Sequence, residues 1–203
     1  MITIDELIKR DLYRDYRTYT DHDDSDWPTT FAPPVEVSNA NISILMHYFG
    51  MIRNECKSIL EIGVRNNKET SFTKLLIDNK LTNTKYFGVD IEDKSFMNDN
   101  ENNVFTIQTD STKIDEVLSF AKSHGTEAFD FILIDSWPSI NQVLNDWLYI
   151  DYLSADGIIA LHDTNFHPGP TELVNNLKAE RFEVYKECEQ DLDWGITFIT
   201  KKL

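Results

Sequence analysis

Asp135 and Asp163 each close an apolar run, Phe129–Ile134 and Gly157–Leu161, and further reactive groups surround them: Ser136 and Trp137 on one side, His162, Thr164, Asn165 and His167 on the other. If those runs are neighbouring strands, the two carboxylates converge. It is costly for both to stay ionised unless a cation or hydrogen-bond donors lie between them. The pair therefore calls for a divalent cation or for proton donors. His162 and His167 can act as a general base, ligate a softer metal or simply pack, and the sequence leaves these roles open.

A second group of residues has the chemistry of a nucleoside site. The stretch Leu60-Glu61-Ile62-Gly63-Val64-Arg65-Asn66 places one glycine after an apolar run and before a helical pattern. Such a glycine permits a tight turn and close ligand approach, and the following helix start offers N–H groups to a carboxylate or phosphate. The glycines of GxGxxG are missing, which counts against a dinucleotide. Asp90 ends the next run, 27 residues beyond Gly63, where a carboxylate can accept from both hydroxyls of a ribose. A loop carboxylate or helix cap is the alternative for it. The third run ends Gln108-Thr109-Asp110-Ser111-Thr112. Asp110 and Ser111 suit an adenine amino group or, equally, a helix cap.

These residues share a sequence position, just beyond short apolar runs, and the runs define the fold. Ser58–Val64, Tyr86–Ile91, Val104–Gln108, Phe129–Ile134 and Gly157–Leu161 alternate with helical patterns at about 40–54, 69–79, 112–123, 139–152 and 171–180. Strands without polar alternation are covered on both faces, so the fold class is α/β, a doubly wound, Rossmann-like, mostly parallel sheet with helices on both faces. Phe182–Lys186 and Gly195–Thr200 are joined by a segment too short for a crossover helix, and form an antiparallel hairpin at one edge. Ligands of such sheets bind beyond the carboxyl ends of the strands, where the marked residues lie.

The predicted domain is 39–203, preceded by an N-terminal arm or lid over 1–38. That arm has a short helix at Ile4–Tyr16, an acidic run from Asp21 to Asp26, and Pro28, Pro33 and Pro34. The acidic run lacks the glycine and terminal glutamate of a calcium loop and reads as solvated. Tyr13, Tyr16, Tyr19, Trp27 and Phe31 can wall an acceptor pocket or anchor the arm to the core.

With 203 residues the chain suits one core. Its 19 basic and 35 acidic residues give a net charge of −16, which argues against nucleic acid and anionic membranes as partners. Cys56 and Cys188 have no metal or redox spacing, and no membrane span or signal peptide is visible. The expected location is cytoplasmic.

Leu60-Glu61-Ile62-Gly63-Val64 with Asp90 resembles the cofactor motifs of class I S-adenosylmethionine-dependent methyltransferases. Phe129–Asp135 and Gly157–Thr164 narrow the resemblance to small O-methyltransferases of the catechol O-methyltransferase-like and cephalosporin hydroxylase-type group. It covers about residues 40 to 200. The resemblance implies a seven-stranded sheet with an antiparallel last strand and S-adenosyl-L-methionine as cofactor. Glu61 and Gly63 would face its methionine moiety, Asp90 its ribose and Ser111 its adenine, with Val64, Ser71, Ile91, Asp110, Asp135 and Trp137 completing the contacts. Asp135 and Asp163, with Thr164, would match the positions that hold Mg2+ or another divalent cation.

Methyl transfer from a sulfonium is an in-line displacement, and a hydroxyl acceptor must also lose a proton. The expected function is O-methylation of a small-molecule or sugar hydroxyl, with His162, His167 and Asp135 as the catalytic candidates and a homodimer as the assembly considered. The alternative is a binding or assembly module that keeps the fold without turnover. In the related enzymes the fourth strand continues Asp-Gly-x-His-x-Tyr, whereas here it reads Asp135-Ser136-Trp137-Pro138-Ser139-Ile140; no lysine stands near Asp135, and Arg65-Asn66 replaces a second glycine.

Overall fold

The computed structural model describes residues 37–65, 71–165, 167–189 and 193–202. The predicted arm, with its helix, acidic run and aromatic residues, lies outside these apart from Val37 and Ser38.

Seven strands form one sheet: β1 (Ser58–Ile62), β2 (Lys85–Asp90), β3 (Val104–Gln108), β4 (Phe129–Ile134), β5 (Leu153–His162), β6 (Phe182–Glu187) and β7 (Ile196–Lys201). Their order is β3-β2-β1-β4-β5-β7-β6. The first five pair in parallel, and β7 is antiparallel to both β5 and β6. The predicted sheet, its antiparallel last strand and the edge hairpin are all present.

Apolar residues on alternate sides of the strands divide the core in two. Leu60, Ile62, Ile132 and Ile134 pack with Val117, Ala121, Val143, Leu144 and Leu173. These come from α3 (Ile114–Ser123), α4 (Ile140–Asp146) and α5 (Pro168–Asn176). Ile59, Phe131 and Leu133 pack on the other face with Leu45, Phe49, Phe72 and Leu76. Those belong to α1 (Asn39–Ile52) and α2 (Phe72–Asn79). Burial on both faces removes the polar alternation from the strands.

Side-chain caps set several helix starts. Ser38 and Asn41 form a reciprocal capping box on α1, Ser71 accepts from the Lys74 N–H at the start of α2, and Ser139 does the same for Gln142 on α4. Several elements depart from the predicted bounds, among them β5, which begins at Leu153 instead of Gly157. The helix expected over 139–152 tightens after Asp146 into a 3-10 turn, Trp147–Tyr152, and α5 begins at Pro168 instead of 171. Proline is favourable in a first helical turn because it has no N–H to leave unsatisfied.

The order of strands reverses between β1 and β4, whose last residues Ile62 and Ile134 are in register. Gly63 and Asp135 therefore leave the sheet side by side, at the crevice where such folds bind ligands.

Candidate active site

A cleft of about 1050 Å3 opens over the carboxyl ends of β1, β2, β4 and β5. It lies at the upper end of the size range for small-ligand sites.

The β1–α2 turn forms its floor. Gly63 has φ +88°, and a Cβ there would stand 2.2 Å from the Asp135 carbonyl oxygen, so no side chain fits. The Gly63 N–H donates to the Val89 carbonyl and the Asp135 N–H to that of Ile62, each at 2.9 Å. The Val64 N–H donates to Asp90 Oδ2 at 2.9 Å. The glycine turn and the Asp90 carboxylate, paired only by spacing in the sequence, are thus directly bonded.

Glu61 takes a different place from the one its motif implied. It is fully buried and does not line the cleft; Thr73 Oγ1 and Tyr86 Oη donate to its two oxygens at 2.6 and 2.5 Å. Thr73 in turn accepts from the Arg65 N–H at 3.1 Å. A central parallel strand buried on both faces leaves Glu61 no route to the cleft, so it braces the turn from below. Burial pushes its pKa up to about 8 despite those two hydrogen bonds.

This has a consequence for stability. A carboxyl with a raised folded pKa is stabilising below its unfolded pKa, near 4.3, and that stability is lost as pH rises through about 8. Relative to wild type, Glu61→Gln should therefore become progressively more stable from pH 5 to pH 9, by a few kcal/mol. Thermal unfolding of both proteins across that range checks this, and parallel Tm curves would contradict it.

Asp90 accepts from the Glu92 N–H at 2.8 Å as well as from Val64, and the buried Lys94 ammonium lies 3.9 Å away. Two apolar side chains stand in the open beside it, Ile91 at 75% and Trp137 at 56% exposure, both lining the cleft. Such exposed apolar surface suits the faces of a flat ring. Ser71, Asp110 and Ser111 also line the cleft. The Asp110 carboxylate holds the Thr112 N–H and hydroxyl, at 2.9 and 2.8 Å. The Ser111 hydroxyl donates to Asp146 Oδ1 at 2.7 Å and accepts from Gln142 Nε2 at 2.7 Å. Asp146, buried beneath, also accepts from Ser136, and its pKa is pushed up to about 6 by burial.

The two predicted carboxylates do converge, and a histidine closes them. His162 Nδ1 lies 3.0 Å from Asp135 Oδ1 and 3.1 Å from Asp163 Oδ1. Asp163 has φ +64°, a left-handed turn that lets consecutive residues bring their side chains together at the strand end. Burial opposes charge on the His162 ring, but Asp163 and Asp135 outweigh it and raise its pKa to about 10. The two carboxylates thus favour the protonated His162 ring, a state in which it does not act as a base. Burial works to raise the Asp163 pKa, yet His162 holds it below the ordinary value.

His167 differs. Its ring stacks on Trp194, centroids 4.8 Å apart and planes nearly parallel, and burial lowers its pKa. It is neutral near pH 7 and lines the cleft with Asp163. Asp135, His162 and Asp163 bring three ligand atoms within 4.8 Å of one another, and the Thr164 hydroxyl meets that of Thr197 at 3.1 Å.

Sequence reasoning missed Asp146, Asn41, Asp193 and Trp194. The Asp193-Trp194-Gly195 string before the last strand was the only available signal, a polar and aromatic pair ahead of a turn glycine with φ +78°.

No family model and no curated protein matches the chain. Solved structures do resemble it. The MycE methyltransferase of the mycinamycin biosynthetic pathway, in complex with Mg, SAH and mycinamycin VI, superposes with a TM-score of 0.57 at 18% identity, over 78% of this chain and 48% of its own. The chain therefore spans about half the length of MycE. The O-methyltransferase TomG from Streptomyces achromogenes, in complex with SAM, gives 0.58 at 12% identity over 84% and 83% of the two chains. A putative rRNA-methylase from Clostridium thermocellum gives 0.55 at 16% over 83% and 99%.

Proposed function

We propose that this chain, which has the class I methyltransferase fold, binds S-adenosylmethionine and transfers its methyl group to a hydroxyl of a small molecule or sugar. The observation that carries the reading is the bond between the glycine turn and the ribose-type carboxylate, Val64 N–H to Asp90, at the floor of a cleft walled by Ile91 and Trp137. Asp90 would take the ribose hydroxyls, Ile91 and Trp137 the adenine faces, and the turn at Gly63 the methionine end. TomG with SAM and MycE with SAH are neighbours of like fold. Neighbours named as rRNA methylases share it too. The net charge of −16 favours a small acceptor over a phosphate backbone.

The chain's own residues supply alignment, exclusion of water and a proton acceptor. His167, neutral and beside Asp163, is the base; Trp194 fixes its ring. The expected result for His167→Gln is a loss of turnover on the order of 100-fold. Because the His167 pKa is lowered, the acid limb of kcat/KM should fall below the ordinary histidine value near 6.5 and vanish in the variant. An unchanged pH profile in His167→Gln would rule it out.

A divalent cation fits the chemistry of Asp135, Asp163 and His162 Nδ1, two hard oxygens and one imidazole nitrogen. Bound there, it would lower the pKa of the acceptor hydroxyl. Turnover should then fall on chelation and recover with Mg2+, and Asp163→Ala should lose most of its activity. Activity that survives both chelation and Asp163→Ala would eliminate metal assistance. Binding of cofactor without transfer to any hydroxylated acceptor would instead favour a binding module.

A further inference from the structure

We infer that Asn41, on the first turn of α1, is a positioning residue for the His162 ring: held by Asp193, it fixes Nε2 as an N–H donor and so commits Nδ1 to Asp135 and Asp163. The orientation follows from hydrogen-bond chemistry. The Asp193 carboxylate has no donor of its own, and its Oδ1 lies 2.8 Å from Asn41 Nδ2 while accepting the Gly195 N–H at 2.9 Å. Its Oδ2 accepts from Ser38 Oγ at 2.6 Å, which closes the group against the start of α1. The Asn41 amide must therefore turn Nδ2 toward Asp193. Its Oδ1 is left facing Ser38 N at 3.5 Å and His162 Nε2 at 3.4 Å. An amide oxygen only accepts, so Nε2 carries hydrogen.

This determines what can stand at Nδ1. That nitrogen bridges the two carboxylates through a proton, or ligates a cation through its lone pair. In either state the ring orientation and the Nε2–H bond are the same. Asn41, Asp193 and His162 are all buried, Phe72 packs edge-on against the ring at 5.1 Å, and Asn41 does not line the cleft. The amide therefore acts on the site only through His162. A metal-ligating histidine almost always donates its far N–H to a carbonyl or carboxylate, and loss of such a partner costs about 10- to 100-fold in metal affinity or activity.

The test uses the full chain with 15N-labelled histidine, the His162 signals being identified from His162→Gln. Long-range 1H–15N spectra of wild type should show Nε2 protonated, and Asn41→Leu should shift those ring signals. Asp193→Ala should reproduce the shift by releasing the Asn41 amide, while Asp193→Asn, which keeps an acceptor oxygen, should restore the wild-type spectrum. Turnover in Asn41→Leu should fall by on the order of 10-fold or more with S-adenosylhomocysteine affinity within about twofold of wild type. A bare Nε2 in wild type, or unchanged ring signals in Asn41→Leu, would overturn the inference. Only the turnover readout rests on the proposed methyl transfer; the spectra decide the role of Asn41 even if no acceptor is ever methylated.

Discussion

Asp90→Ala is expected to weaken S-adenosylhomocysteine binding by on the order of 100-fold while leaving the protein folded. A hydrogen bond to a charged group is worth about 1.5–3 kcal/mol, and a ribose presents two hydroxyls to this carboxylate. Asp90 also holds the Val64 and Glu92 N–H groups, so its removal loosens both turns that shape the cleft floor. It sits at the end of a strand and is only partly buried, which keeps the cost to folding small. Asp110→Ala is the natural comparison. That carboxylate is exposed and already bonded to Thr112, so the expected loss is under about tenfold. Equal losses in the two variants would mean that Asp90 has no special part in binding.

The second large effect is structural. Gly63→Ala should destabilise the protein by on the order of 4 kcal/mol or more, an exceptional value for one methyl group. Two costs combine: a φ of +88° that side chains rarely adopt, and a Cβ 2.2 Å from a backbone oxygen of the neighbouring strand end. The oxygen belongs to Asp135, whose N–H is pinned to Ile62, so neither partner can give way without breaking the β1–β4 register. Since a ΔΔG of 1 kcal/mol moves Tm by about 2–4 °C in a chain of this size, the melting point should drop by roughly 10 °C or more. Gly50→Ala, within α1 and with nothing inside 4 Å of the new Cβ, should leave Tm unchanged or slightly raised. A Gly63→Ala protein that melts with the wild type would refute this account of the turn.

The strands were legible because each is short, apolar and followed by a polar cluster, a pattern that buried parallel strands produce and few other elements do. The cleft was legible for the same reason, since a doubly wound sheet gathers strand ends: Asp90, Asp135 and Asp163 line one cleft because β2, β4 and β5 end on one side. What a strand end does not reveal is where a side chain points. Glu61 lies within β1, two residues before the turn, and its carboxylate was drawn beneath the sheet by Thr73 and Tyr86. His162 and Asp163 alternate in sequence yet touch, because Asp163 adopts a left-handed turn that no spacing rule announces. Asn41 and Asp193 are 152 residues apart, and only the folded chain brings them to the histidine.

The same geometry gathers two carboxylates and a histidine at one strand end. His162 lies within hydrogen-bond distance of both carboxylates, and Asn41 orients it from behind. His167, a short distance along the chain, has its pKa lowered by burial. The opposite shifts of the two histidines arise from their surroundings, one between carboxylates and one buried against an indole.

The central claim is that the cleft over Gly63 and Asp90 holds a nucleoside sulfonium. Calorimetric titration of the full chain with S-adenosylmethionine and with S-adenosylhomocysteine tests it most directly. The account predicts one-to-one binding of both, in roughly the micromolar range, and its loss in Asp90→Ala. Absence of binding by either compound to the folded wild-type protein would contradict it.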